Sequence, residues 1–373
     1  MKGIYFSPYV NHKPGIFDKV KNQVHFLNKN GFETELIIMK KENKVKKIFN
    51  MMPLIGRHMF FGNIEKISRK DFIYIRKPNY FDYLFLKDLK KIKKYNNKIK
   101  IIIEIPTYPY RNEFKHKILF FIPIIIDDII RKNLRQVVDR IVTYSPDSEI
   151  DNVKTIVLNN GYDFSRVKLE KRIISDDASI KLVAVANIEK WHGFDRLIEG
   201  LNNYYGMKRE NSLDFRIDIV GNGNIALINE YKKKVINYRL DKHIVFCGER
   251  RGAELKKMLQ NADIAVDSLG RHRSGIYYNS SLKGKEYLAY GLPIISGVKT
   301  DLDQYMDNFK YYLRVESNDQ PIDFFNIEKF YNRIYSNSIS REKIRNEIFL
   351  FGKRKFNFDT SLEPLYNFLK NKG

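Results

Sequence analysis

The chain has 373 residues, enough for two domains with separate cores, and its 43% apolar and 30% charged residues mark a soluble globular protein and exclude a disordered or fibrous one. A single cysteine, Cys247, excludes a disulfide framework and fits a reducing compartment. The start, "MKGIYFSPYV", has no signal-peptide pattern, and the longest apolar run, "ILFFIPIII" (118–126), contains a proline and is far short of the ~20 residues that span a bilayer, so a cytoplasmic location is expected. The formal charge of +23 is uneven: residues 1–170 carry +15 and residues 171–373 carry +8. The N-terminal half is therefore the candidate for an anionic surface, nucleic acid or lipid, with solvated surface lysines as the plain alternative.

In chain order, "GIYFSPY" (3–9) reads as a strand, and "IFDKVKNQVHFLNKNG" (16–31) has helical apolar spacing with Gly31 as its cap. "TELIIM" (34–39), "FIYIRK" (72–77), "KIIIEIP" (100–106), "RIVTYS" (140–145) and "TIVLNNG" (155–161) read as further strands. Lysine-rich or mixed helices lie between most of them, including "KDLKKIKKYNNKIK" (87–100). Near-continuous apolar strands of this kind belong to parallel sheets covered on both faces. The stretches "KILFFIPIIIDDII" (117–130) and "MMPLIGRHMFFG" (51–62) are read either as buried core or as an apolar, basic-rimmed surface that meets a membrane.

The polar segment 168–179, "KLEKRIISDDAS", reads as a linker. A second alternating series follows: strand 181–187, helix 193–205, strand 215–223, helix 226–239, strand 243–248, helix 253–260, strand 262–268, helix 283–290 and strand 293–297. This gives a first domain over 1–167, a second over 180–355, and a final helix, about 356–373, that returns to the first domain. The expected class is α/β: two Rossmann-like, doubly wound parallel sheets facing a central cleft, with ligands at the carboxyl ends of the strands.

"AVANIEKWHGFDRLIEGL", "FRIDIVGNGN", "IVFCGE", "NADIAVDSL" and "SLKGKEYLAYGLPIIS", in this order, resemble the nucleotide-sugar half of GT-B glycosyltransferases of the family-four type, and "NNGYDFSRV" (159–167) is similar to the segment that ends that family's first domain. The resemblance implies a glycosyltransferase that moves a sugar from a nucleotide-sugar donor to a glycan or lipid-linked acceptor. It also implies retention of anomeric configuration and no metal or other cofactor. Glu286 takes the place of the glutamate that holds the donor ribose. A carboxylate accepts from both hydroxyls of a diol, and a helix start with a lysine suits a diphosphate. Ser281, Leu282 and Lys283 stand there. The plain alternative for Glu286 is a helix-dipole contact.

Two departures from the family are visible. Tyr278 stands where members carry a donor-sugar glutamate, and Asn187 and His192 stand where they carry Arg and Lys. His192 and Lys190 remain donor-side candidates, with ordinary loop residues as the alternative. Further donor candidates are Gly15, Gly221 and Arg250, the last with Arg251 as an alternative or as plain surface charge. Glu104 and Tyr108 are acceptor-side candidates, with a proline-stiffened structural loop as the alternative, and His272 is a phosphate or substrate candidate against a solvated loop; these three are also the candidates for catalysis, and no nucleophile is assigned. No zinc-like histidine set, CxxC or GxxxxGK[ST] is present, and "DLD" (301–303) lacks the setting of a metal motif. Two other classes stay open: a catalytically reduced GT-B partner subunit, suggested by Tyr278, and a basic nucleic-acid-binding protein, suggested by the charge. No nucleic acid is expected as partner on the first reading. The remaining partner is an anionic membrane surface, which would place the enzyme peripherally on the inner face of the cytoplasmic membrane for polysaccharide or glycolipid synthesis.

Overall fold

A computed structural model describes residues 1–9, 14–41, 59, 61–111, 121–170, 179–208, 210, 212–335 and 340–371. The chain forms two compact units, residues 1–161 with 358–373, and residues 162–357. Most of the expected linker, residues 171–178, and most of the 51–62 stretch lie outside the described residues, as do residues 117–120 of the 117–130 stretch.

The first unit holds β1 (Lys2–Ser7), β2 (Glu33–Ile38), β3 (Phe72–Arg76), β4 (Lys100–Ile105), β5 (Arg140–Thr143), β6 (Glu149–Ile150) and β7 (Val153–Val157), in the sheet order β2-β1-β3-β4-β5-β7-β6. Only β6 runs antiparallel, against β7. Period-two alternation sends Ile4, Phe6, Ile73, Ile75, Ile101 and Ile103 to one layer and Tyr5, Phe72, Tyr74 and Ile102 to the other. The first layer is covered by α3 (Tyr83–Tyr95) and α4 (Phe121–Asn133), and a short α2 (Ile64–Ser68) lies at its side. The second is covered by α1 (Pro14–Lys29), through Val20, Val24 and Leu27, and by the last helix, α11 (Phe358–Lys370), through Leu362, Leu365 and Leu369.

The second unit has one wholly parallel sheet: β8 (Ile180–Val185), β9 (Phe215–Val220), β10 (Ile244–Gly248), β11 (Ile264–Val266), β12 (Ile294–Ser296) and β13 (Tyr312–Arg314), ordered β10-β9-β8-β11-β12-β13. In a sheet of this order the strand sequence reverses between β8 and β11, and that switch point is where open α/β sheets bind ligands. The crossovers are α5 (Phe194–Gly206), α6 (Ile225–Asn237), α7 (Gly252–Asn261) and α8 (Leu282–Ala289). Two further helices, α9 (Phe324–Tyr335) and α10 (Arg341–Phe356), and strand β13 were not read from sequence. The expected final helix is interrupted at Asn357, whose side-chain amide donates to the Lys353 carbonyl and whose backbone bridges to Tyr162. Phe356 stays in the core of the second unit, and the helix of the first unit begins one residue beyond the break, at Phe358.

Candidate functional site

The site gathers at the switch point of the second sheet. The loop after β8 carries Lys190, Trp191 and His192, and the loop after β11 carries Asp267 to Gly275. They are laced together: the Leu269 amide donates to the His192 carbonyl at 2.9 Å, and the Gly270 amide to the Trp191 carbonyl at 3.2 Å. Gly193 has φ +67, and a Cβ there would come within 2.8 Å of the Gly270 nitrogen, so only glycine lets the two loops touch. On the other side, Gly221 has φ +132 and a Cβ would fall 1.8 Å from the Ala186 carbonyl oxygen. Glycine at 221 is thus required by the protein itself, to bring the end of β9 against the loop after β8.

Arg273 locks the second loop. Its guanidinium holds Asp195 through both carboxylate oxygens at 2.8 and 2.7 Å, and also donates to the Lys190 carbonyl and to Asp319. His272 Nε2 lies 3.0 Å from Asp319, while its Nδ1 is buried with no partner. Arg271 lies over the Trp191 ring at 5.7 Å. The sequence did not single out Arg271, Arg273 or Asp267, because a basic loop and a strand-end aspartate look alike in sequence whether solvated or engaged.

α8 begins at this edge. Ser281, its cap, is buried, and its hydroxyl accepts from the Gly284 amide at 3.2 Å. That leaves the amides of Leu282 and Lys283 at the open helix start without an intrahelical partner. Tyr287 anchors the helix from within, accepting from the Val185 amide at 3.0 Å and donating to the Val266 carbonyl. Lys285 is buried and paired with Asp301, which also accepts from Ser280. Asp303 holds Arg314 and accepts from Tyr312. Both acids of the "DLD" stretch therefore have structural partners. Among the described residues no group of three His, Cys, Asp or Glu side chains is placed to hold a metal ion.

Lys283 and Glu286 are half-buried on the side of α8 facing the loops. Lys283 Nζ lies 3.1 Å from His192 Nε2. On the other side of the ring, His192 Nδ1 lies 3.1 Å from the Glu189 amide, which donates to it, and 3.3 Å from the Glu189 carbonyl. Burial, then Lys283 and Arg271, hold the His192 pKa down to about 2, so it is a neutral polar group rather than an acid or base. Burial also draws the Lys283 ammonium down to about 8, with Asp267 and Glu286 opposing and Arg271 adding to the shift. The Glu286 carboxyl is pushed up by burial, with Lys283 pulling it back. A half-buried carboxylate left in that state has protein charge near it but, among the described residues, no hydrogen-bond partner.

The structure thus brings His192, Lys283, Ser281, Leu282, Glu286 and Gly221 to one edge, with Lys190 exposed beside them. The Tyr278 backbone pairs with Lys299, and burial, Asp301 and Asp303 raise its phenol. Arg250 is exposed after β10, 3.7 Å from Glu254. Gly15 is exposed at the start of α1, where a Cβ would meet nothing within 4 Å.

The first unit corrects one expectation. Glu104, expected to face an acceptor, is fully buried. It pairs with Arg76 and Lys19 and accepts from Tyr74 at 2.6 Å and Gln23 at 3.0 Å. A strand-end glutamate with this many donors is a core group, not a solvent-facing one. Tyr108 is half-buried in the loop after β4, under the Arg131 guanidinium at 5.9 Å.

Comparison with known proteins agrees with this geometry. Residues 179–326 match the family of group 1 glycosyl transferases, less than half of the chain and about three quarters of the second unit. Across 99–100% of both chains, the fold is similar to a glycosyltransferase from Rickettsia africae (14% identity, TM-score 0.59), to Anabaena HepE solved with UDP (12%, 0.62) and to sucrose-phosphate synthase from Thermosynechococcus elongatus (13%, 0.64). No sequence among the curated proteins matches. The chain has the GT-B fold, and residues 179–326 of its second unit are similar to the group 1 glycosyl transferases.

Proposed function

We propose that the protein transfers a hexose from a nucleotide-sugar donor to a glycan or lipid-linked acceptor, with retention of configuration and without a metal ion, at the cytoplasmic face of a membrane. The observation that carries this reading is the open start of α8: two unpartnered amides, the Lys283 ammonium on neutral His192, and the unsatisfied Glu286 in the next turn. Amides, helix dipole and lysine suit a diphosphate, and the carboxylate suits a ribose diol. Positive charge at the leaving diphosphate would then stabilise the transition state, which is the task a metal performs in other transferases. The UDP in the HepE structure makes UDP the first ligand to test.

The test is a thermal-shift screen of nucleoside diphosphates and sugar nucleotides, followed by turnover of a labelled donor. A ligand at 100 times its dissociation constant adds about 2.7 kcal/mol of stability. No shift with any sugar nucleotide or nucleoside diphosphate removes the proposal. Tyr278 favours one second reading, a GT-B partner subunit with reduced catalysis, because a buried phenol near Asp301 stands where the resemblance implies a donor-sugar glutamate. Donor binding without turnover, restored by a second subunit, is the signature of that reading.

A further inference from the structure

We infer that the outward face shared by α3 and α4 of the first unit docks on a bilayer containing anionic lipid. It rests on the membrane location proposed above only for its setting, and its test needs no sugar nucleotide. The two helices lie side by side on one face of the sheet: Phe85, Leu86, Leu89 and Ile92 of α3 and Ile130 of α4 share a core layer. The Phe81 amide, two residues before α3, donates to Asp127 of α4 at 2.7 Å and fixes the pair.

Their solvent sides are unusual in complementary ways. Tyr83, Lys87, Lys90, Lys91 and Lys94 are exposed along α3, and at 100° per residue they fill one stripe of about 100°. With the floor of Leu86 they line a shallow cavity of ≈ 270 Å³. The one acid of the helix, Asp88, is turned inward, and among the described residues none of these lysines has a carboxylate partner. On α4 the outward residues are Ile122, Ile125 and Ile129, 55%, 37% and 55% exposed, and then Lys132. The acids of α4 do not blunt this face: Asp127 is buried, and Asp128 is held by Arg111 at 3.3 Å and Arg131 at 2.9 Å.

Three isoleucines at i, i+3 and i+7 on a helix's outer side are an apolar stripe without a protein partner among the described residues. The composition of the joint face selects the occupant. Nucleic acid would meet the lysines but offers nothing to the isoleucines. A second copy docked face to face would bring two lysine stripes together. An anionic bilayer supplies both complements: headgroup phosphates for the ammonium groups and acyl chains for the isoleucines. Among the described residues no helix is long and apolar enough to cross a membrane, so the contact lies in the interface plane.

The experiment is flotation of the full-length protein with vesicles of phosphatidylglycerol in phosphatidylcholine, and of phosphatidylcholine alone, at low and high salt. At low salt, binding to the anionic vesicles should exceed binding to the neutral ones by about tenfold or more. Lys87→Glu/Lys90→Glu/Lys94→Glu should remove that excess. Ile122→Ser/Ile125→Ser/Ile129→Ser should keep the low-salt encounter and lose, by roughly three- to tenfold, the part that survives high salt. All six side chains face solvent, so unchanged melting curves certify both variants. The inference is overturned if wild type ignores anionic vesicles at low salt or if neither variant changes binding. It is also overturned if the isoleucine variant dissolves a dimer, or if the lysine variant loses duplex nucleic acid while vesicles go unbound. Loss of vesicle binding with sugar-nucleotide binding intact separates this failure from that of the transferase reading.

Discussion

Each parallel sheet has a glutamate near the carboxyl ends of its strands, and the two are treated in opposite ways. Glu104 ends β4 beside Arg76 of β3, fully enclosed, with Lys19, Tyr74 and Gln23 completing its shell. Burial alone would raise its pKa, but Lys19, Arg76 and the hydrogen bonds outweigh it and hold it down to about 2. Glu286 stands beside one lysine, reaches solvent, and has its pKa raised. A carboxylate whose valences are filled by the protein belongs to the fold. One left raised and half-open at a switch point is free to meet a ligand, the role proposed for Glu286.

The largest effect should come from breaking the closed glutamate. Glu104→Gln leaves Arg76 as a buried cation without a counter-ion and pushes Lys19 to shed its proton, and should cost about 3–5 kcal/mol in a urea or thermal melt. The sign with pH follows from the lowered carboxyl. Stability from Glu104 is full above its ordinary 4.5 and is lost as pH falls toward about 2, so the gap between wild type and Glu104→Gln should close with acid. An unchanged melt at neutral pH would mean that the cluster carries little of the unit's stability.

The open glutamate should show the reverse pattern. Glu286→Ala should leave the melting curve in place while weakening UDP or donor binding by about 2–4 kcal/mol, read by titration calorimetry. Wild-type affinity in that variant would remove the ribose role.

Lys19 sharpens the contrast on the alkaline side. Burial brings its ammonium down to about 7 from 10.5, despite Glu104. Between those values the unfolded chain binds the proton that the folded chain has released, so stability should rise with pH from about 7 to 10.5. The slope has an upper bound of about 1.4 kcal/mol per pH unit, and Lys19→Met should flatten it. The smallest effect is expected at Ser281. Removing its cap on the Gly284 amide by Ser281→Ala should cost about 1 kcal/mol of stability, and should weaken donor binding only if the α8 start frays.

The sequence by itself determined the two parallel sheets, the crossover helices of the second unit and the segment 280–297, because apolar runs of strand length and helical spacing are local patterns. The interest of Ser281, Lys283 and Glu286 came from the family resemblance of "SLKGKEYLAYGLPIIS", and the role of Ser281 as the helix cap came only with the structure. Only tertiary structure decided which charges face inward. Glu104 and Glu286 are both acidic residues among apolar neighbours in sequence, and they differ through Lys19 and Arg76, which lie 85 and 28 positions from Glu104. The same holds for Lys285 and Lys283, two residues apart on one helix: one is buried on Asp301 and the other is turned to His192. Helical geometry sets neighbours at i and i+2 on different faces, but what each face meets is fixed by strands and loops distant in sequence.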